Sequence, residues 1–313
     1  MLTMELLTYD GERAHLPVLL EWDLLYTGSV PCDSVSATCL YSADMARVLP
    51  RATRFRAMED GTVRLAGVVD AYEIVMDRRG LLVTVEGRGM AALLIDNEAE
   101  AVTYGQASME DILANHVTPY GIEAERRRAV TGRNYAVTSG ASQWKALRGF
   151  THRYGGFEPY FTPEGKLVLD RLWGGGQTLE INDRTPLRSF TQRGQRYGVI
   201  SEMLIYDKAQ QVRHSVMNQP FASQGGCRRQ LLYMPRSTAD SRRYTGEYQI
   251  AQSAQEELVL ELTLPYPFAA FPGDRAAVSL DRLGLAGDYD VVEARSRTDA
   301  SGAVTELTVS RRG

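Results

Sequence analysis

Leu65-Ala66-Gly67 opens the run that decides the fold. It continues as Val69-Asp70-Ala71-Tyr72-Glu73-Ile74-Val75, reaches a turn ending in Gly80 and returns as Val83-Thr84-Val85. The same order recurs at the other end of the chain. Leu285-Ala286-Gly287 precedes Asp288-Tyr289-Asp290-Val291-Val292, the turn ends in Gly302, and Leu307-Thr308-Val309 follows. Short β-rich runs bounded by turn residues mark hairpin strands. From first glycine to turn glycine the spacing is 13 residues in one copy and 15 in the other. Two readings fit: a duplicated β-domain, or an ordinary two-barrel protein whose hairpins look alike because hairpins do. Duplication has a geometric consequence, since three such chains in a closed ring present six similar units around one axis.

Outward from the first copy, Leu2 to Glu86 reads as mostly strand. Phe55, Val63, Leu65, Val68, Tyr72, Ile74 and Met76 sit among polar neighbours, and Asp60-Gly61 and Arg78-Arg79-Gly80 mark turns. Close strand spacing favours a small barrel or sandwich. After Gly89 the character changes. Met90–Leu94 reads as a helical turn or two. Ser108 is placed to cap a helix, with Asp111 at the capping-box position and Met109, Ile112, Leu113 and Val117 on one face. Ser142 caps a second helix with a Trp144, Leu147, Thr151, Tyr154 stripe, stopped by Gly155-Gly156. A hairpin, Phe157–Phe161 and Leu167–Asp170, turns at Pro163-Glu164-Gly165. Strands return at Leu187–Thr191, Tyr197–Tyr206, Leu258–Leu264, Ala276–Leu280, Tyr289–Arg295 and Thr305–Ser310. Lys208–Ser241 reads as loops and connections, and Arg242–Ala254 as a short helix or an extended approach. The fold class expected is α+β, mostly β.

The chain has 313 residues, 44% of them hydrophobic, with 35 basic and 39 acidic side chains. That supplies material for two or three domains and excludes a globally basic nucleic-acid coat. Three cysteines, Cys32, Cys39 and Cys227, imply no disulfide framework, and whether Cys32 and Cys39 pair is open. Met1 to Tyr26 has no basic residue before Arg13 and is interrupted by Asp10, Glu12, Glu21 and Asp23. It therefore reads as neither signal peptide nor membrane span.

Gly87-Arg88-Gly89-Met90-Ala91-Ala92 fits the dinucleotide pattern G-x-G-x-x-A. Against it, the preceding strand is a hairpin arm, no βαβ alternation follows, and the acid about 20 residues on falls inside a helix. Gly174-Gly175-Gly176 lacks the lysine of a phosphate loop. His15, His116, His152 and His214 lie far apart without metal-ligand spacing, and His116 and His152 sit near helix C-termini, where a cation is favoured. Glu256-Glu257 is too generic for glycosidase work, and Trp144 reads as core while Trp173 has the ring for sugar stacking. Arg126-Arg127-Arg128, Arg228-Arg229, Arg242-Arg243 and Arg311-Arg312 read as solvated loops or inter-subunit contacts. The expectation is no catalytic, metal or cofactor site.

Three stretches resemble the baseplate hub proteins of contractile phage tails and related contractile injection particles, including the Mu-type and T-even hubs and Gram-positive prophage tail proteins. They are Leu82–Asp96, a strand leading into Gly-Arg and a small-Leu-Leu-x-Asp run; Ser108–Ile122 with the Trp144–Phe157 helix and Gly165 hairpin; and Phe271-Pro272-Gly273-Asp274 with Gly287–Val291 and the Gly302 hairpin. The resemblance implies a homotrimeric ring of pseudo-sixfold symmetry with two tube-type β-barrels per chain. It implies 1–93 as the first barrel, completed by 187–206; 94–186 as an inserted α+β domain; and 207–313 as a connecting segment and second barrel. It implies a structural, non-enzymatic role in a virion or tail-like particle. The implied partners are a tail tube, a central spike, tape-measure and baseplate wedge proteins, with nucleic acid at most passing through the lumen. The alternatives are a dinucleotide-binding enzyme using Gly87–Ala92, or a spike-associated cell-wall-degrading or glycan-binding module.

Overall fold

A computed structural model describes residues 1–28, 33–170, 176–234, 237–255 and 257–311. Cys32, Trp173, Gly174-Gly175, Glu256 and Arg312 lie outside the described residues, so the Cys32–Cys39, Gly174-Gly175-Gly176 and Glu256-Glu257 readings have no structural counterpart.

A 13-stranded sheet organises the chain. Six strands of the N-terminal half stand in the order Leu2–Thr8, Ala52–Glu59, Thr62–Asp77, Gly80–Gly89, Ser34–Leu40, Leu19–Thr27. Six of the C-terminal half repeat that order: Thr178–Asn182, Arg275–Leu280, Leu285–Asp299, Gly302–Arg311, Leu258–Leu264, Ser189–Gly194. The two halves share one strand order. Their one difference of direction is at the first strand, antiparallel to its neighbour in the N-terminal half and parallel in the other.

Registers refine the sequence echo. Asp77 pairs with Gly80 and the bulge falls at Asp70; Asp299 pairs with Gly302 and the bulge falls at Val292. Adding 222 to a residue number of the first hairpin therefore gives its counterpart. The Leu-Ala-Gly match implies 220 and is two residues out of register. Side chains alternate with a period of two, so a slip of two leaves every residue on its expected face and the pattern cannot detect it.

The fold class is α+β and mostly β, as the sequence predicts. Among the described residues the ladder of each half is open, and Leu19–Thr27 pairs with Glu293–Thr298 of the other half, making one continuous sheet. The buried side chains of both halves, from Leu2, Met4, Leu6 and Phe55 to Leu262, Val278, Val291 and Val309, form one connected core.

Domain boundaries differ from the expected ones. Ser189–Gly194 pairs with Leu258–Leu264, so it extends the second half instead of completing the first, and Thr178–Asn182 joins that half too. The second half thus begins near Thr178, and the α+β block lies between the halves, after all six strands of the first. That block has its own core, from Ala91 through Ile112, Trp144 and Phe150 to Leu169. Lys208–Ser241 is not loop. Glu202–Asp207, Val212–Met217 and Arg229–Met234 form a three-stranded sheet over Met203, Ile205 and Met234, and the helix Ala239–Gln255 covers it. This small unit interrupts the second half between Ser189–Gly194 and Leu258–Leu264, the connection that runs from Gly28 to Asp33 in the first.

Local signals act as their chemistry requires. Ser108 and Asp111 form a reciprocal capping box, satisfying two otherwise orphaned N–H groups. Ser142 accepts from Lys145 N–H, and Gly156 ends that helix at φ 67°. Asp60 and Gly61, with φ of 51° and 79°, make the turn that the twist of paired strands favours.

Candidate functional site

The residues singled out for chemistry serve the fold. Gly87 and Gly89 lie within an antiparallel hairpin arm. A Cβ on Gly87 would stand 2.5 Å from the Val68 carbonyl oxygen and 2.6 Å from the Phe55 ring, so this glycine permits strand packing. Arg88 is held by Asp70 at 2.8 Å and Asp96 at 2.7 Å, which keeps the Asp96 carboxyl below its usual range. The helix that follows, Ala92–Ile95, has only four residues. This is not the βα turn that cradles a pyrophosphate.

His116 is buried, with Nδ1 2.7 Å from Gln143 Oε1 and Nε2 3.0 Å from the Tyr104 hydroxyl. His152 bonds Glu158, which also accepts from Arg148 Nε at 2.5 Å and the Tyr248 hydroxyl at 2.7 Å. Burial alone would raise the Glu158 carboxyl; hydrogen bonds from His152 and Arg148 overcome it and hold it below its usual range. This cluster fastens the α+β block to the helix Ala239–Gln255. Trp144 is buried against Phe161. Arg229 pairs with Glu202 at 2.6 Å and Arg243 with Asp240 at 3.4 Å. Arg242, expected to be solvated, is instead buried 3.6 Å from the Asp207 carboxylate. Among the described residues no group of three or more His, Cys, Asp or Glu is placed to hold a metal.

The longest-range pairing in the sheet is the seam between the halves. Six residues of Leu19–Thr27 face six of Leu285–Asp299, from Trp22 opposite Thr298 to Thr27 opposite Glu293. Arg295 grips Asp23 with Nε at 2.9 and 3.1 Å and a terminal nitrogen at 2.5 Å. The Tyr26 hydroxyl donates to the Arg64 carbonyl at 2.6 Å, and its ring meets Phe271 edge-on at 5.1 Å. Gly28 N–H donates to the carbonyl of the bulged Val292 at 2.9 Å, an approach that a Cβ would block. Asp33 closes the corner by accepting from Thr27 N–H at 2.7 Å; burial pushes its carboxyl up to about 6 against that hydrogen bond.

A cleft of about 200 Å³ beside the seam is lined by Trp22, Tyr26, Arg64, Gln177 and Phe268. Glu59 there is paired with Arg64 at 3.0 Å, and Asp274 accepts from Gln177 and Phe271 N–H groups. Both acids are engaged in these contacts.

Several sheet edges remain open among the described residues, Arg13–His15 and Thr178–Asn182 included, and two of them are the counterparts of the seam strands. Beyond Val68 the Thr62–Asp77 strand has no partner on the side away from its hairpin, and Ser189–Gly194 is the last strand of the sheet. Tyr72, Ile74, Val75 and Met76 are exposed there, Met76 by 79%. Sequence reasoning missed both seam and edges, because strand partners distant in the chain leave no local signal.

No family model matches the sequence, and no curated protein matches it. Solved structures do. A tail protein from Neisseria meningitidis superposes with a TM-score of 0.76 at 16% identity, over 100% of this chain and 97% of that one. The 43 kDa tail protein of prophage MuSo2 from Shewanella oneidensis gives 0.74 at 15%, over 99% and 98%. An Escherichia coli component of the type VI secretion system, described as similar to the T4 tail proteins gp27 and gp5, gives 0.55 at 11%, over 94% and 74%. From end to end, the chain has the fold of these tail proteins.

Proposed function

We propose that this chain is a structural baseplate hub, three copies of which close into a ring of six similar units joining a sixfold tail tube to a threefold spike. One observation carries the reading: both halves of the chain repeat one six-strand order and are already joined side by side in a single sheet. A heterologous contact of this kind makes a ring when its rotation closes. The end-to-end fold likeness to tail proteins supports it. On this reading the chain works mechanically, without catalysis, in a virion or tail-like particle. Its partners are a second and third copy, the tube, the spike, and the tape-measure and wedge proteins. Cryo-electron microscopy of purified particles tests it. The expected result is density for three copies at the tube–spike junction; density elsewhere, or particles lacking the chain, overturns it.

A further inference from the structure

The seam supplies a template for a contact between chains. Leu285–Asp299 is used twice on the side away from its hairpin partner: Leu285–Asp290 pairs with Arg275–Leu280, and Glu293–Thr298 with Leu19–Thr27. Its counterpart, Thr62–Asp77, is used once. Thr62–Val68 pairs with Ala52–Glu59, while Ala71–Met76 leaves its outer edge open. The counterpart of Leu19–Thr27 is Ser189–Gly194, whose outer edge is open as well. Each half therefore carries the same donor and acceptor edges. Only one of the two pairs is matched within the chain.

We propose that Ala71–Met76 of one protomer pairs antiparallel with the 190–195 segment of the next, in the register of the seam. This rests on the hub reading and specifies the contact that would close its ring. The register follows from hydrogen-bonded partners. Residues of the first hairpin map to the second by adding 222; Ser34 faces Arg88 as Val259 faces Ser310, and Leu25 faces Ser34 as Arg193 faces Val259, so residues 21–27 map to 189–195 by adding 168. Arg295 opposite Leu25 thus becomes Glu73 opposite Arg193, and Thr298 opposite Trp22 becomes Met76 opposite Phe190.

The side chains fit that register. Glu73 and Arg193 bring opposite charges face to face, a stabilising cross-strand pair. Arg193 lies exposed and, among the described residues, holds Glu261 at 3.1 Å. Met76 against Phe190 sets a thioether on an aromatic ring. An exposed edge bearing Tyr72, Ile74, Val75 and Met76 recruits another strand unless something covers it. A second copy provides a strand whose register the chain itself has already demonstrated.

The test is the mass of the full-length protein by light scattering across a concentration series, for wild type, Glu73→Arg, Arg193→Glu and the double reversal. The expected result is a trimer whose association constant falls about tenfold or more with either single reversal, because a ring holds the pair at three interfaces. The double reversal restores it. A cysteine pair, Met76→Cys with Phe190→Cys, in one chain is expected to give oxidised trimers on non-reducing gels. A trimer indifferent to the reversals and not linked by the cysteines overturns the pairing while leaving the hub reading standing. A wild type that stays monomeric at its highest soluble concentration, with no cross-linking, also overturns it, and the hub reading then stands or falls on the particle images.

Discussion

Arg295 and Asp23, 272 positions apart in sequence, form a forked ion pair across the seam that makes one sheet of two halves. Both side chains are partly exposed, so the pair aligns the strands more than it stabilises them. Alanine at either position is expected to cost about 0.5–1 kcal/mol, with a coupling of similar size in a double-mutant cycle by urea unfolding. A coupling near zero shows that backbone ladder and core hold the halves without it.

Gly67 faces the Arg88 carbonyl and backbone of the neighbouring strand so closely that no Cβ fits. Gly67→Ala is expected to lower stability by about 2–3 kcal/mol, because the Arg88–Gly89 backbone must move. Gly105 also lies in a strand but with open space around it, and Gly105→Ala serves as the control, shifting stability by less than about 0.5 kcal/mol. Equal effects would remove the close-approach account.

Asp33 gives the seam a pH dependence. Its carboxyl stands at about 6 in the folded chain, against an ordinary value of 3.8, because of burial. Below the ordinary value both states are protonated and no penalty exists. As pH rises towards 6 the unfolded chain ionises first, so folding loses up to about 3 kcal/mol and then levels off. Asp33→Asn keeps an acceptor for Thr27 N–H and removes the penalty. Its stability relative to wild type is expected to rise between pH 4 and pH 7; a constant difference rejects the burial argument.

Asp207 is fully buried in the small three-stranded unit. It accepts from Ser237 N–H and hydroxyl at 2.6 Å, from Ala209 and Gln210 N–H at 2.8 and 2.9 Å, and faces Arg242. Burial opposes its charge, but these donors hold its carboxyl below the usual range. Asp207→Ala strands a buried guanidinium and is expected to cost about 3–5 kcal/mol. Hydrogen exchange should show that loss between residues 202 and 255 while the core around Ile112 and Phe150 keeps its protection. Loss of protection throughout would mean that the unit is not a separate stability element.

What the sequence made legible was local. The Ser108–Asp111 box, the Gly156 stop and the Asp60-Gly61 turn are fixed by chemistry within a few residues, and each stands as read. Strand identity was legible too, since alternation needs no partner. Partnership was not. Ser189–Gly194 carries nothing that distinguishes a place beside Ser34–Leu40 from one beside Leu258–Leu264, so only the pairing itself says which half it joins. Val212–Met217 escaped notice as a strand because neither of its faces is fully buried, which dilutes its alternation with Arg213, His214 and Ser215. Arg242 looked solvated because its buried partner lies 35 residues away.

The reversed first strand has a consequence of its own. Five of the six strand positions keep the same order and direction in both halves, whereas Leu2–Thr8 and Thr178–Asn182 run in opposite senses. A collar of such chains would read as hexagonal along its wall and triangular at whichever rim that strand occupies. A mismatch between unlike neighbours above and below would then be absorbed by turning one short segment end for end.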